Sequence, residues 1–534
     1  MKFLTPIAPI AVCAAGTVLA LTAHDRTAIA AGVVVAYLAF CVGMLARHRR
    51  RRAARAAFGS AGTGADTDRP TLIAFASQTG FAEQLAEQTA RALQGAGMPV
   101  RVTSFADLDG RQLAACGQAL FLVSTTGEGD APDSASGFTR RMMAGVAPDS
   151  LRQLRYGILA LGDSSYARFC AFGHTLSSWL QRHHAQPLFD MVEVDNGDPG
   201  ALRHWQNHLS AMSGGAEIAD WERPRYGRWQ LVERRVLNPG SAGAPACHLA
   251  LVPEEAEALD WSAGDIAEVG PCHPPGVVAA LLARLALDGT TPVRCDSRPT
   301  TLAAALATRL PLPEAHLDTL VGLSPQRLVD ALPALPHREY SIASLPADGR
   351  LELLVRQTRY DDGRLGLASG WLTEHAAVGT AIALRVRVNR AFHPPADGRP
   401  LILIGNGTGL AGLRAQIKAR EAAGHRRNWL LFGERSAAHD AFHDADIGRW
   451  HASGVLERVD RVYSRDGGPL RYVQDAVAAH AMALREWIAE GAAIYVCGSL
   501  QGMAGGVHAA LVSIAGDEAL QQMTEDGRYR RDVY

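Results

Sequence analysis

The sequence predicts an α/β protein of several domains behind two apolar N-terminal segments. Three observations carry that reading. Short apolar runs repeatedly end in Gly/Ser/Thr-rich turns that open helical stretches, which is the pattern of doubly wound parallel sheets. Between two such regions, from Trp221 to Pro336, lie strand-like runs without that alternation and then an Ala/Leu-rich stretch, read as barrel pieces plus helices. Leu4 to Thr22 and Thr27 to Ala46 are apolar, and each approaches the ~20 residues needed to span hydrocarbon as a transmembrane helix. At about 150 residues per domain, a chain of 534 residues holds three or four domains.

Composition narrows the function classes. The chain is 48% hydrophobic and 20% charged, as expected of a globular protein. Its 53 basic and 54 acidic residues leave a net charge of -1, which excludes nucleic-acid binding by bulk charge. No pair of its 8 cysteines has C-x-x-C spacing and no Cys/His group matches a zinc pattern, so no metal site is expected. Scattered thiols in a chain of this length fit a reducing compartment.

The N-terminal segments are separated by Ala23-His24-Asp25-Arg26. Arg47, Arg49, Arg50, Arg51, Arg52 and Arg55 follow the second. The positive-inside rule places that end in the cytoplasm. The expectation is a two-helix hairpin over 1–48 in the inner (cell) membrane, with the catalytic domains cytoplasmic. An alternative has the first segment cleaved as a signal peptide near Leu21-Thr22-Ala23, with the second stopping transfer. Residues 49–69 read as a basic, Ala/Gly-rich tether.

Residues 70–213 read as the first doubly wound domain. Thr71–Ala76 is a buried-strand run. Ser77-Gln78-Thr79-Gly80 follows, and then a helix with Phe81, Leu85, Thr89 and Leu93 on one face. A hydroxyl-rich turn at a helix N-terminus suits a phosphate, because free backbone N–H groups point at the anion. Two further strands end in Ser124-Thr125-Thr126-Gly127-Glu128-Gly129-Asp130 and in Leu161-Gly162-Asp163-Ser164-Ser165-Tyr166, the latter continuing to Phe169-Cys170. A last strand fits Leu188–Val194. In such sheets ligands bind beyond the carboxyl ends of the strands, where all three loops lie.

Those three loops, in that order, resemble the flavodoxin-like domain of diflavin reductases. The resemblance implies FMN, with the first loop on its phosphate and the other two flanking its ring. Many relatives carry an aromatic stacker where this chain has Thr126; sulfite-reductase flavoproteins also lack it. Tyr166 is then the expected aromatic face. Residues 220–397 resemble a ferredoxin-reductase-type FAD barrel with a helical insert. Arg338-Glu339-Tyr340-Ser341 matches the family's R-x-Y-S segment. It implies a ring face from Tyr340, a pyrophosphate partner in Arg338 and a hydrogen bond near flavin N5 from Ser341. Gly366-Leu367-Ala368-Ser369-Gly370 resembles the loop on FAD pyrophosphate.

Residues 398–534 resemble the Rossmann-like NADP domain of the same family. Pro400–Ile404 enters Gly405-Asn406-Gly407-Thr408-Gly409 and a helix over 413–423, a dinucleotide cradle. Relatives usually have proline at the positions of Asn406 and Gly412, which implies a looser loop here. Ser464, Arg465, Arg471, Tyr472 and Gln474 supply cationic and hydroxyl groups suited to a 2′-phosphate, hence NADPH. A lysine is common in relatives where this chain has Leu470. Tyr495-Val496-Cys497-Gly498 matches a strand end that places Cys497 beside the nicotinamide. An acidic residue is common where this chain has Ser499. The tail Arg528-Tyr529-Arg530-Arg531-Asp532-Val533-Tyr534 resembles the end of sulfite-reductase flavoproteins, with Tyr534 covering the flavin.

The expected path is hydride from NADPH to FAD, then single electrons through FMN to an acceptor protein holding haem or another metal. Ser341, Cys497 and Asp532 are expected to polarise the hydride site and Tyr534 to gate it. Because anchored relatives serve membrane haemoproteins, the first expectation is an NADPH–haemoprotein reductase. The alternatives are the flavoprotein component of an assimilatory sulfite reductase and a reductase for a membrane metal or ferric-chelate system. Intact motifs argue against a non-catalytic membrane-assembly role.

Overall fold

The computed structural model describes residues 70–127, 129–144, 151–164, 166–214, 221, 224–254, 259–296, 298–310 and 319–534. The apolar segments, arginine cluster and tether expected within 1–69, and Ser165 of the third flavin loop, lie outside the described residues. Among the described residues no helix is long and apolar enough to cross a membrane.

The first domain is a parallel sheet of β1 (Thr71–Ala76), β2 (Val100–Ser104), β3 (Gln118–Ser124), β4 (Arg155–Gly162), β5 (Gln186–Pro187) and β6 (Val192–Asp195). The order is β2-β1-β3-β4-β5, with β6 also on β4. Helices cover both faces, which is why β1, β3 and β4 are apolar almost throughout rather than alternating. The helix Phe81–Gly95 buries Leu85, Thr89 and Leu93. Of the strand expected over 188–194 only the end forms, as β6 on β4, while residues 188–191 form no strand and the short β5 pairs with β4 just before them. The chain order reverses between β1 and β3, so a crevice opens there at the carboxyl ends.

The second domain is an antiparallel sheet in the order β12-β9-β14-β7-β8-β13. Its strands are β7 (Gly227–Val236), β8 (Ala246–Pro253), β9 (Ile266–Gly270), β12 (Arg338–Ser341), β13 (Leu351–Arg356) and β14 (Ala381–Arg387). The insert is not helical throughout, as the Ala/Leu-rich sequence suggests. Its helices Pro275–Leu285, Leu302–Leu306 and Pro325–Ala331 surround a hairpin of β10 (Pro292–Cys295) and β11 (Arg298–Thr301). The β-branched Val293 and Thr300 pair across that hairpin, a local preference that helical periodicity does not register.

The third domain is a parallel sheet in the order β17-β16-β15-β18-β19. Its strands are β15 (Leu401–Asn406), β16 (Asn428–Glu434), β17 (Arg458–Tyr463), β18 (Ala493–Gly498) and β19 (Tyr529–Val533). The helix after β15 runs Leu410–Ala422. The C-terminal tail is therefore a sheet strand, with Asp532 level with Cys497 on β18.

Candidate active site at the strand ends of three domains

The three loops expected to hold FMN lie together at the carboxyl ends of β1, β3 and β4. Ser77 follows β1, and its buried Oγ has no hydrogen-bond partner. An unpaired buried hydroxyl beside a helix N-terminus marks a missing acceptor, and a phosphate supplies one. Gly80 caps the following helix at φ 84°, a left-handed conformation that glycine adopts without strain. Gln78 turns instead to Asp133, giving its Nε2 hydrogen to Oδ2 at 3.1 Å. Thr79 stands between them in the same turn.

In the second loop Thr125 N donates to the Leu161 carbonyl (3.0 Å), tying it to the third loop. Thr126 closes a small bridge to Asp130 across Gly127. In the third loop Tyr166 exposes 43% of its surface and is free to face a planar ring. Asp163 is half-buried, and Gly162 leaves room for the Phe169 ring and Cys170. The Cys170 side chain is fully buried in the domain core, with Sγ toward the Ala160 carbonyl (3.4 Å), so it offers a ligand its backbone and not its thiol. Burial pushes that thiol up to about 12.

The residues expected at the hydride site come together where the second and third domains meet. Ser341 ends β12, Cys497 lies on β18 and Asp532 on β19. Ser341 Oγ donates to Asp532 Oδ2 at 2.7 Å, and Cys497 Sγ donates to the same oxygen at 3.6 Å. All three side chains are buried. Burial raises the Asp532 carboxyl above the usual carboxylate range, and the Ser341 and Cys497 donors pull it back down. Burial, with Asp532 adding to it, holds the Cys497 thiol well above its ordinary value, so it is a neutral S–H donor and not a thiolate nucleophile. Gly409 is required here, because a Cβ at that position would overlap the Cys497 carbonyl.

Around this cluster, Tyr340 packs half-buried against the barrel core. Arg338 stays exposed at the outer strand, with its guanidinium donating to the His337 carbonyl (3.1 Å). Gly366, Ala368 and Ser369 form one tight turn, in which Ser369 Oγ accepts from Thr358 N (3.1 Å). Gly407 has φ +57°, a left-handed turn that glycine adopts without strain, and a Cβ there would lie 3.5 Å from Glu434 Oε1 and 3.7 Å from an Arg356 guanidinium nitrogen. Tyr534 exposes 53% of its surface, and its hydroxyl lies 3.5 Å from Thr408 Oγ1.

Asn406 Oδ1 accepts from Ser499 N at 2.9 Å and ties the dinucleotide loop to the end of β18. Gly412 faces Cys497 Sγ, where a Cβ would sit at 3.1 Å. Ser464 and Arg465 leave the end of β17, and their backbones are held by Glu434 and Arg435 carbonyls. Arg471 and Tyr472 are exposed ahead of the helix Val473–Ala479, and Gln474 lies in its first turn against Gly506. Arg356 and Glu434, absent from the sequence reading, form a buried ion pair beside Gly407. Their strands are distant in the chain, and no local pattern marks them.

Comparison with known proteins agrees with this geometry. The Flavodoxin family matches residues 73–205. The sulfite reductase (NADPH) flavoprotein alpha-component of Bacillus subtilis (strain 168) is 30% identical over 538 residues, covering 86% of this chain and 89% of that protein. The chain belongs to this flavoprotein family. The alpha-component of Vibrio cholerae serotype O1 is 29% identical over 536 residues, covering 86% of this chain and 87% of that protein. That of Neisseria meningitidis serogroup B is 27% identical over 569 residues, covering 90% and 94%. FMN, FAD and NADPH are the cofactors of such a flavoprotein. The residues fit all three: an unpaired Ser77 hydroxyl for the FMN phosphate, a ring face and turn around Tyr340 and Ser369 for FAD, and the left-handed glycine turn at Gly407, beside the Arg356 guanidinium, for NADPH.

Proposed function

We propose that the chain is an NADPH-dependent diflavin reductase that passes electrons to a haem-containing partner protein of the sulfite-reductase type. The observation that carries this reading is the buried Ser341–Asp532–Cys497 cluster, built from three strands beside a glycine dinucleotide loop. Hydride departure leaves positive charge on a nicotinamide ring. A buried carboxylate aimed at that ring stabilises the charge as it develops. Ser341 and Cys497 fix the carboxylate's orientation while donating to a single oxygen, which leaves the other available. The flavins supply the change from two-electron to one-electron transfer.

The named relatives favour the sulfite-reductase reading over the membrane haemoprotein reductase expected first. Two features support a membrane-attached version of it: the apolar segments 4–22 and 27–46, and the arginines that follow them. In that version the catalytic domains lie at the cytoplasmic face of the cell membrane. Specificity for NADPH is carried by Ser464, Arg465, Arg471 and Tyr472.

The test is anaerobic titration of the purified full chain with NADPH. Bleaching of the flavin absorbance, followed by reduction of a sulfite-reductase haemoprotein, is expected. Protein that binds no flavin, or that NADPH does not bleach, overturns the reading. Reduction of a membrane haemoprotein or a ferric chelate, with none of the sulfite-reductase haemoprotein, reassigns the acceptor.

A further inference from the structure

The flavodoxin domain meets the rest of the chain through its flavin-loop face, and Arg531 of β19 sits in that contact. Its guanidinium lies against Asp133, with Nε 3.1 and 3.3 Å from the two carboxylate oxygens and a second nitrogen on Oδ1. Its carbonyl accepts from Gln78 Nε2 at 2.6 Å. Gln78 Oε1 in turn accepts from Asp133 N at 2.9 Å. The first flavin loop and the segment after the second therefore grip one residue by both its side chain and its backbone. Burial works against the Arg531 cation, and Asp133 more than offsets that, so Arg531 keeps its charge.

The next residue along the strand is Asp532. Successive strand side chains point to opposite faces, so Arg531 reaches the flavodoxin domain while Asp532 enters the hydride site. A second contact lies nearby. Leu500 N donates to the Tyr534 carbonyl (3.0 Å), and the Leu500 methyls face Gly127 of the second flavin loop. Arg530 holds the strand from the other side, donating to the carbonyls of Arg390, Ala391 and His393. Besides its ladder with β18, the strand thus has a side-chain anchor that does not involve the flavodoxin domain and a clamp that does.

We propose that Arg531 is a positioning residue that makes flavodoxin-domain docking and the placement of Asp532 and Tyr534 a single event. The inference rests on the diflavin-reductase reading and adds a regulation of its hydride site. While the flavin loops are docked, the strand end is clamped and Asp532 is held against Ser341 and Cys497. When the domain leaves to present its flavin loops to an acceptor protein, the clamp opens and the residues beyond Arg530 relax. The site then takes hydride slowly until the domain returns, which separates reductant uptake from electron delivery.

The test is hydrogen–deuterium exchange on the full chain with its flavins, with small-angle scattering in parallel. In Asp133→Asn, whose substitution lies in another domain, the amides of Asp532 to Tyr534 are expected to exchange about tenfold faster, with a larger radius of gyration. The double reversal Asp133→Arg with Arg531→Asp is expected to bring both back toward wild type. Should Asp133→Asn fold poorly, wild-type protein moved to about 0.5 M salt screens the same pair and is expected to show the same loosening. Tail exchange that does not respond to either treatment overturns the coupling. These readouts need no turnover. Wild type that NADPH bleaches but whose tail is unresponsive loses the coupling alone, and wild type that is not bleached loses the underlying reading and the coupling with it.

Discussion

Two seams in this molecule are built from different chemistry. The barrel and dinucleotide domains share one hydrophobic core. Ala246, Ala343, Leu354 and Phe392 from the barrel side pack with Leu401, Leu403, Leu410 and Leu413 from the other. Buried polar bonds reinforce it, including Arg414 to the Ala343 carbonyl (2.8 Å) and the Tyr495 hydroxyl to the His393 carbonyl (2.7 Å). The flavodoxin domain has its own two cores, both drawn from residues before the barrel. It meets its neighbours largely through ion pairs at half-exposed positions: Asp133 with Arg531, Glu525 with Arg140 and Arg141, and Glu83 with Arg390. Apolar burial is insensitive to salt and does not release in turnover, whereas exposed ion pairs are worth little each and are screened. The hydride site therefore stands on a permanent seam and electron delivery on a releasable one.

The sharpest way to break this contrast is at the permanent seam. Asp532→Asn keeps the shape but removes the charge that stabilises a developing nicotinamide cation. Hydride transfer, followed as rapid loss of flavin absorbance, is expected to slow by about 100-fold or more, with the KM for NADPH changed far less. A drop confined to KM would place Asp532 in binding instead. Tyr534→Ala removes a half-exposed cover held largely through its backbone. It is expected to shift the NADPH-to-NADH ratio of kcat/KM by about tenfold, and an unchanged ratio would remove the gating role.

The releasable seam is tested by salt. Raising ionic strength to about 0.5 M is expected to enlarge the particle by scattering and, as the clamp on β19 loosens, to slow flavin bleaching by NADPH, while the thermal midpoint of the barrel and dinucleotide domains shifts little. An equal loss of stability at both seams would mean they are not distinct.

The smallest effect concerns His248, which lies buried between Glu352 and the His443 ring at the permanent seam. Burial lowers its pKa from 6.5 to about 4; Glu352 pushes it up, while His443 and Arg414 oppose protonation. As pH falls from 6.5 to about 4 the unfolded chain takes up a proton that the folded one does not, so stability drops with the slope of one proton. His248→Gln is expected to flatten that part of the thermal-stability profile and leave the carboxylate-driven loss below it.

Much of the site was legible because phosphate and dinucleotide cradles are local devices. Ser77 to Gly80 and Gly405 to Gly409 announce themselves by placing glycine and hydroxyl residues between an apolar strand and a helix. The hairpin at 292–301 was not legible, since an Ala/Leu-rich stretch shows helical periodicity and hides short strands. Sequence does not show which part of Cys170 faces the flavin loop; at φ 52° it caps the next helix with its thiol turned into the core. Arg356 and Glu434 carried no signal, because a buried ion pair between distant strands leaves no spacing to recognise.

Local sequence by itself determined where the strands end in ligand loops, and hence the cofactor set, since backbone N–H groups and glycine conformations are set within a few residues. It also determined the apolar and arginine-rich pattern of residues 4–55. Only the tertiary structure decided that Ser341, Cys497 and Asp532 converge on one carboxylate oxygen. It alone showed that Arg531 reaches the flavin loops from the neighbouring strand position. Those contacts join residues 35, 191 and 398 positions apart, and their geometry follows from how sheets stack and pair, which no local window encodes.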